Sequence, residues 1–371
     1  MKKYLSLYLV ESICLFVILV FSLLNMYKAP LLSTEYTDYI YKQLVWICIG
    51  IFLYILIYKI KFKYIYKSRY IIFIINIILL IYVLLFSKET NGIRAWIKIS
   101  SFSFQPSELI KVSFPLVTIP LIKNKKYFLS FILFLIPSIL ILLEPDTGNF
   151  ILLLFIYLYL LLNKNNKKLF LIIFLVTLLF MISFLIIQTK YPSILINIFN
   201  GSFYYRFKRI ADFKNNFQIN NALIGIGSSH LLPIPLNKLL IYIPEGITDF
   251  VYSFNICNFG ILLSIFVTTA YFLFTYALIK KYSKRKYYIK KKILGSFLTI
   301  FIFQSLYNIL MNIGLTPIMG IPLPFFSYGG SNVITYFILY ALATKRISFI
   351  LDKDNNNYKS NCHKVLADNC N

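Results

Sequence analysis

Pro317-Ile-Met-Gly-Ile-Pro-Leu-Pro-Phe-Phe-Ser-Tyr-Gly-Gly-Ser331 stands between two long apolar runs, 293 to 313 and 331 to 350. Three prolines and three glycines fall between Pro317 and Gly330. Each proline removes a backbone donor and clashes with the preceding turn, so no continuous helix passes through the stretch. Irregular backbone at membrane depth survives only where protein buries it or where it lines a cavity. The stretch therefore reads as a re-entrant segment of an all-α polytopic membrane protein, placed just before the last spanning helix.

Working outward, a bilayer core of about 30 Å calls for roughly 20 apolar residues per helix. Ten runs answer, near residues 8 to 27, 39 to 58, 70 to 87, 105 to 122, 127 to 143, 148 to 162, 168 to 188, 250 to 279, 293 to 313 and 331 to 350. With 59% hydrophobic and only 14% charged residues among 371, the chain lacks the polar surface of a soluble domain. The first run is too long for a signal peptide and carries no small-residue cleavage site, so a retained helix is expected. Residues 1–351 read as one integral-membrane domain, and the polar Asn/Lys-rich tail 352–371 as disordered and cytoplasmic.

The net charge of +25 would point to nucleic acid in a soluble protein. Here 26 of the 38 basic residues fall in alternate connections and the two ends, which is the pattern of Lys and Arg retained on the cytoplasmic side. An even number of spans with both termini cytoplasmic follows, and nucleic acid is not an expected partner. Nine of the thirteen acids fall on the opposite, outer side, so acid chemistry belongs there. Cys14, Cys48, Cys257, Cys362 and Cys370 show no paired spacing, which points away from a disulfide framework or a zinc site.

Three further stretches break the apolar pattern on the outer side. In the first, Asn91-Gly-Ile-Arg-Ala-Trp-Ile97 runs on to Phe104-Gln-Pro-Ser-Glu-Leu-Ile-Lys111. Pro106 suits a helix start, and Glu108 and Lys111 then share one helical face at i and i+3. Charges inside a membrane helix are costly unless they pair or line a wet cavity. The second, Glu144-Pro-Asp-Thr-Gly148, is a turn in which Asp146 can cap the next helix. The third, residues 189 to 249, is a long outer loop between helices seven and eight, and loops of that length are usually functional. Its Arg206, Lys208 and Arg209 defy the charge trend and are candidates to hold an anion, since Arg matches phosphate oxygens bidentately. Asp249 ends the loop at the entrance to helix eight, where water and an amphiphile both have access.

Together these stretches resemble the SEDS family (shape, elongation, division and sporulation) of polytopic proteins, the RodA and FtsW group. Gly92 to Trp96, Phe104-Gln-Pro-Ser-Glu108 with Lys111, Glu144-Pro-Asp-Thr-Gly148, Pro244-Glu245 with Thr248-Asp249-Phe250, and Gly320-Ile-Pro-Leu-Pro-Phe325 to Gly330-Ser331 occur in the family's order and spacing. The wording around Gly320 is closer to RodA than to FtsW. The resemblance implies a peptidoglycan glycosyltransferase of the bacterial cytoplasmic membrane that polymerises lipid II into glycan strands at the outer face, beside a class B penicillin-binding protein transpeptidase. It puts the catalytic aspartate at Asp249 and substrate-binding groups at Arg94, Glu108 and Lys111; Arg206, Arg209, Ser327 and Gly329 complete the candidate site. Three positions depart from the family: Ile247 replaces a His, Cys257 and Asn258 replace paired glutamates, and Ser229-His230 replaces Gly-Gly.

Strand extension needs a base for the attacking hydroxyl and cations to offset the charge growing on the leaving pyrophosphate. Asp249 suits the first need, and Arg94, Lys111, Arg206 and Arg209 the second. A divalent cation, magnesium or manganese, would be shared with the pyrophosphate, since the sequence shows no carboxylate cage; no organic cofactor is expected. Ten helices, an intramembrane Glu/Lys pair and a broken segment would equally suit a flippase of lipid-linked precursors. A division paralogue of the FtsW type and a non-catalytic scaffold also stand as alternatives.

Overall fold

The computed structural model describes residues 2–88, 94–99, 102–162, 171, 216–233, 242–285 and 287–345. These form helices α1 (Lys2–Lys28), α2 (Tyr39–Lys59), α3 (Phe62–Lys67), α4 (Arg69–Phe86), α5 (Pro106–Lys123), α6 (Tyr127–Leu143), α7 (Thr147–Leu161), α8 (Phe217–Gly227), α9 (Val251–Ser283), α10 (Tyr288–Asn312) and α11 (Gly330–Thr344). Strands β1 (Ile97–Ile99) and β2 (Phe102–Phe104) pair antiparallel ahead of α5. Helices stand at nine of the ten apolar runs; the run 168 to 188 and the tail lie outside the described residues. The short α3, the hairpin and α8, which occupies part of the expected 189 to 249 loop, are additions that apolar runs do not reveal.

Five stretches are long and apolar enough to cross a bilayer, namely Leu7–Leu31, Thr34–Lys59, Arg69–Phe86, Val251–Ser283 and Tyr288–Asn312. Three shorter apolar helices, α6, α7 and α11, accompany them. On α4 the exposed residues Ile71, Ile74, Ile78 and Leu85 follow helical spacing, opposite buried Phe73, Asn76, Leu80 and Val83. An apolar stripe of this extent has no place in water and faces lipid. By contrast α5 is the central helix: sixteen of its eighteen residues are buried, so Glu108 and Lys111 lie inside the protein.

The basic end of the bundle is built by lysines that close helix C-termini. Lys292 Nζ donates to the carbonyls of Tyr159, Leu160 and Leu162 at the end of α7. Lys345 Nζ does the same for Ile57 and Tyr58 at the end of α2, and Arg285 bonds the Ala343 carbonyl of α11. Cations are favoured at these termini because the last carbonyls have no helical partner and carry the negative end of the dipole. Nearby, buried Lys281 of α9 pairs with buried Glu11 of α1 at 2.5 Å, and Tyr340 donates to the same carboxylate at 3.1 Å.

Residues 317 to 329, between α10 and α11, contain no regular helix, and their carbonyls are met one by one by side chains. Tyr307 bonds Pro317, Asn308 bonds Ile321, Gln304 bonds Pro322, Tyr271 bonds Pro324 and Ser22 bonds Phe326, at 2.5 to 2.8 Å. Gln43 reaches the Ser327 carbonyl at 3.4 Å. Donors from α1, α2, α9 and α10 thus supply what a helix would have supplied, which is the condition for irregular backbone at this depth.

Candidate active site

Asp249 lies in the turn that leads into α9, half-buried, one residue before the Phe250 cap. The turn closes through Thr248 and Phe250 N–H bonds to the Glu245 carbonyl. Its position is fixed from α10: Asn308 and Asn312 Nδ2 both donate to the Asp249 carbonyl, at 2.9 and 3.0 Å, and Asn312 Oδ1 accepts from the Ser253 N–H at 2.8 Å. The re-entrant segment closes the other side. Ser327 Oγ donates to the Thr248 carbonyl at 2.6 Å and accepts from the Leu323 N–H, while the Tyr328 N–H bonds the Ile247 carbonyl. Gly320 holds φ +64, which a side chain rarely tolerates, and among the described residues a Cβ there would find only Asp249 Oδ2 within 4 Å, at 3.9 Å. The carboxylate thus lies beside the bare backbone of Gly320.

The Glu144 to Gly148 turn packs against the same segment, since a Cβ on Gly148 would come within 2.6 Å of the Met319 carbonyl oxygen. Asp146 caps α7 by accepting from the Asn149 N–H at 3.0 Å. Its second oxygen accepts from Gln105, Ser107 and Asn149 side chains, so the cap also ties the start of α5 to that of α7. Gln105 in turn donates its N–H to Ser331 Oγ at 2.7 Å. The described parts of all four motif stretches therefore meet at one end of the bundle, opposite the lysines.

Glu144 is fully buried and neither carboxylate oxygen has a hydrogen-bond partner among the described residues. Burial first, and then the Asp146 charge, pushes its carboxyl from 4.5 up to about 9. Its contribution to stability is therefore complete below pH about 4.5 and is lost as pH rises through about 9, because the unfolded chain releases the proton first. Glu144→Gln is expected to remove that slope: melting temperatures of the detergent-solubilised variant and wild type should agree near pH about 4.5, with the variant higher near pH about 9. A wild-type slope retained by the variant counts against this assignment.

Glu108 and Lys111 form an ion pair at 2.7 Å, with 3% and 1% side-chain exposure. The pair is in contact but not aligned for hydrogen bonding, so Glu108 Oε2 and Lys111 Nζ keep unused capacity. Lys111 Nζ lies 5.8 Å from the centre of the Tyr336 ring, and Tyr336 donates to Gln304. The other candidates are distributed differently. Arg94 is exposed just before β1, Ser327 spends its hydroxyl on the backbone bonds above, and Gly329 precedes α11. Arg206 and Arg209 lie outside the described residues. Among the described residues no three His, Cys, Asp or Glu come together to hold a metal.

The departures fall on supporting positions. Ile247 is buried in an apolar cluster with Met26, Ala29 and Phe254, and Asn258 donates to the Phe254 carbonyl inside α9. Cys257 Sγ packs 3.0 Å from where a Gly225 Cβ would stand. Ser229-His230 lead into the kink at Gly260 of α9, where Ile261 N–H bonds the His230 carbonyl.

The family model of the FtsW, RodA and SpoVE proteins, described as cell cycle proteins, matches residues 3–348. The chain belongs to the SEDS family. This SEDS chain is 28% identical over 380 residues to the probable peptidoglycan glycosyltransferase FtsW of Wigglesworthia glossinidia brevipalpis, covering 93% of this chain and 95% of the relative. It is 29% identical over 333 residues to the peptidoglycan glycosyltransferase MrdB of Helicobacter pylori, covering 83% of each. Its fold matches a chain from a solved peptidoglycan synthase complex that coordinates polymerisation and cross-linking, with a TM-score of 0.71 at 22% identity over 90% of this chain and 95% of that one.

Proposed function

We propose that this SEDS chain is a peptidoglycan glycosyltransferase that polymerises lipid II at the outer face of the bacterial cytoplasmic membrane, in the RodA-like role of cell elongation and shape. The observation that carries this is Asp249, whose backbone carbonyl is fixed by two asparagines from α10 and whose carboxylate lies beside the bare backbone of Gly320. Asp249 takes the proton of the 4-hydroxyl of the incoming lipid II as that oxygen attacks the anomeric carbon of the growing strand. The bond from that carbon to the polyprenyl pyrophosphate breaks, and its electron pair leaves with the pyrophosphate. Arg94, Arg206 and Arg209 offset the charge on the leaving group. Lys111 contributes with its charge shared by Glu108. Any magnesium or manganese ion is held chiefly by the pyrophosphate itself, and no step here depends on it.

The basic end of the bundle faces the cytoplasm, with residues 1–351 forming one membrane unit and 352–371 a cytoplasmic tail. A class B penicillin-binding protein is the partner that cross-links the product, in line with the synthase complex whose chain this fold matches. The test is reconstitution of the purified chain with lipid II and its transpeptidase partner. Glycan polymer is the expected product, whereas a flippase or a scaffold makes none, and absence of polymer from the wild type overturns the assignment.

A further inference from the structure

Helices α5 and α11 run side by side from the Asp249 end, joined at the top by the Gln105 N–H to Ser331 hydroxyl bond and lower down by Lys111 beside the Tyr336 ring. Between these two ties stand Glu108 on one helix and Asn332 and Thr335 on the other. Asn332 is 4% exposed and Thr335 fully buried, yet neither the amide oxygen and nitrogen of Asn332 nor the Thr335 hydroxyl has a hydrogen-bond partner among the described residues. Single buried hydroxyls such as Thr118 and Ser305 are also unmet elsewhere among the described residues, but here an amide and a hydroxyl three residues apart on one helix both lack partners. Ser138, Ser296, Thr299 and Thr344 all donate to the carbonyl four residues back, as buried hydroxyls in helices usually do. Leaving such groups unmet costs about 1–3 kcal/mol each, so their retention calls for a use.

Resting on the glycosyltransferase assignment, we propose that Asn332 and Thr335 contact the sugar portion of the lipid-linked substrate, forming with the Glu108–Lys111 pair a polar seam between α5 and α11. The chemistry selects the ligand. Lys111 is paired with Glu108 at 2.7 Å, so the seam is neutral overall. An amide and a hydroxyl each donate and accept, which matches the hydroxyl and amide groups of an amino-sugar disaccharide; a phosphate would want donors only. Access is from the Asp249 end: among the described residues a Cβ on Gly329 would meet only the Asn332 Cβ, at 3.8 Å, which leaves room beside Asn332.

Asn332→Leu and Thr335→Val keep side-chain volume and delete the polar atoms. If the seam serves the sugar, each variant melts at or above the wild-type temperature, because an unmet polar group has been replaced by an apolar one. Each also shows KM for lipid II raised about tenfold, equivalent to about 1.4 kcal/mol of lost binding, and a smaller lipid II-induced rise in melting temperature. Wild-type KM with raised stability overturns the proposal, as does a fall in melting temperature, which marks a structural role. Asp249→Asn, measured alongside, should lose polymer but keep the lipid II-induced shift. A wild type that neither polymerises lipid II nor is stabilised by it refutes the glycosyltransferase assignment itself, and the seam's ligand with it.

Discussion

Asp249→Asn should give a folded, membrane-inserted protein that polymerises lipid II at less than about one hundredth of the wild-type rate, since positioned general bases contribute roughly 10²- to 10⁴-fold. The backbone around Asp249 does not depend on its charge. Its carbonyl is held by Asn308 and Asn312, and the Thr248 carbonyl by Ser327, and all three bonds survive the substitution. An aspartate that merely favoured the start of α9 would be replaced by asparagine almost without loss. Polymer assays with the transpeptidase present, together with melting of the purified variant, separate the two roles. Near-normal polymer would move the base elsewhere, with Glu245 the next carboxylate in the turn; Glu245 is exposed and accepts from the Thr248 hydroxyl at 2.8 Å.

The second large effect is expected at the Glu108–Lys111 pair. Glu108→Gln or Lys111→Met alone leaves the other charge buried without its partner, which costs about 3–5 kcal/mol. The double substitution leaves no stranded charge, so it should be more stable than either single one, with a coupling energy of about 2 kcal/mol or more. Activity should fall in all three variants. Unfolding of the solubilised proteins gives the cycle directly, and strictly additive losses would refute the pairing.

The helices were legible because apolar run length is itself the physical requirement of a bilayer, and α4, α6 and α7 begin and end within two residues of their runs. The Asp146 cap, the start of α5 at Pro106 and the Glu108–Lys111 pair were legible for the same local reason, each being a matter of one turn of chain. Groups whose partners are far away in sequence carry no such local signal. Asn308 and Asn312 stand four apart in an apolar helix, a signal that could have marked them, but their target, the Asp249 carbonyl, is 59 and 63 residues distant. Glu11 carries no local signal in the first apolar run because its partner Lys281 is 270 residues away. Lys292 and Lys345 counted as loop charges until helix ends were brought to them. Ser327 looked like a ligand-binding hydroxyl from its place in a motif, whereas its hydroxyl holds the site's backbone in place.

The carbonyls of residues 317 to 329 draw their donors from both ends of the chain, and Ser22 meets Phe326 across 304 residues. Such a contact forms late, because a long loop must close before the bond rewards it. During synthesis the turn carrying Asp249 is inserted before residues 317 to 329 exist to brace it. A chain cut before residue 317 therefore lacks the Ser327 and Tyr328 bonds that hold the Ile247 and Thr248 carbonyls beside Asp249.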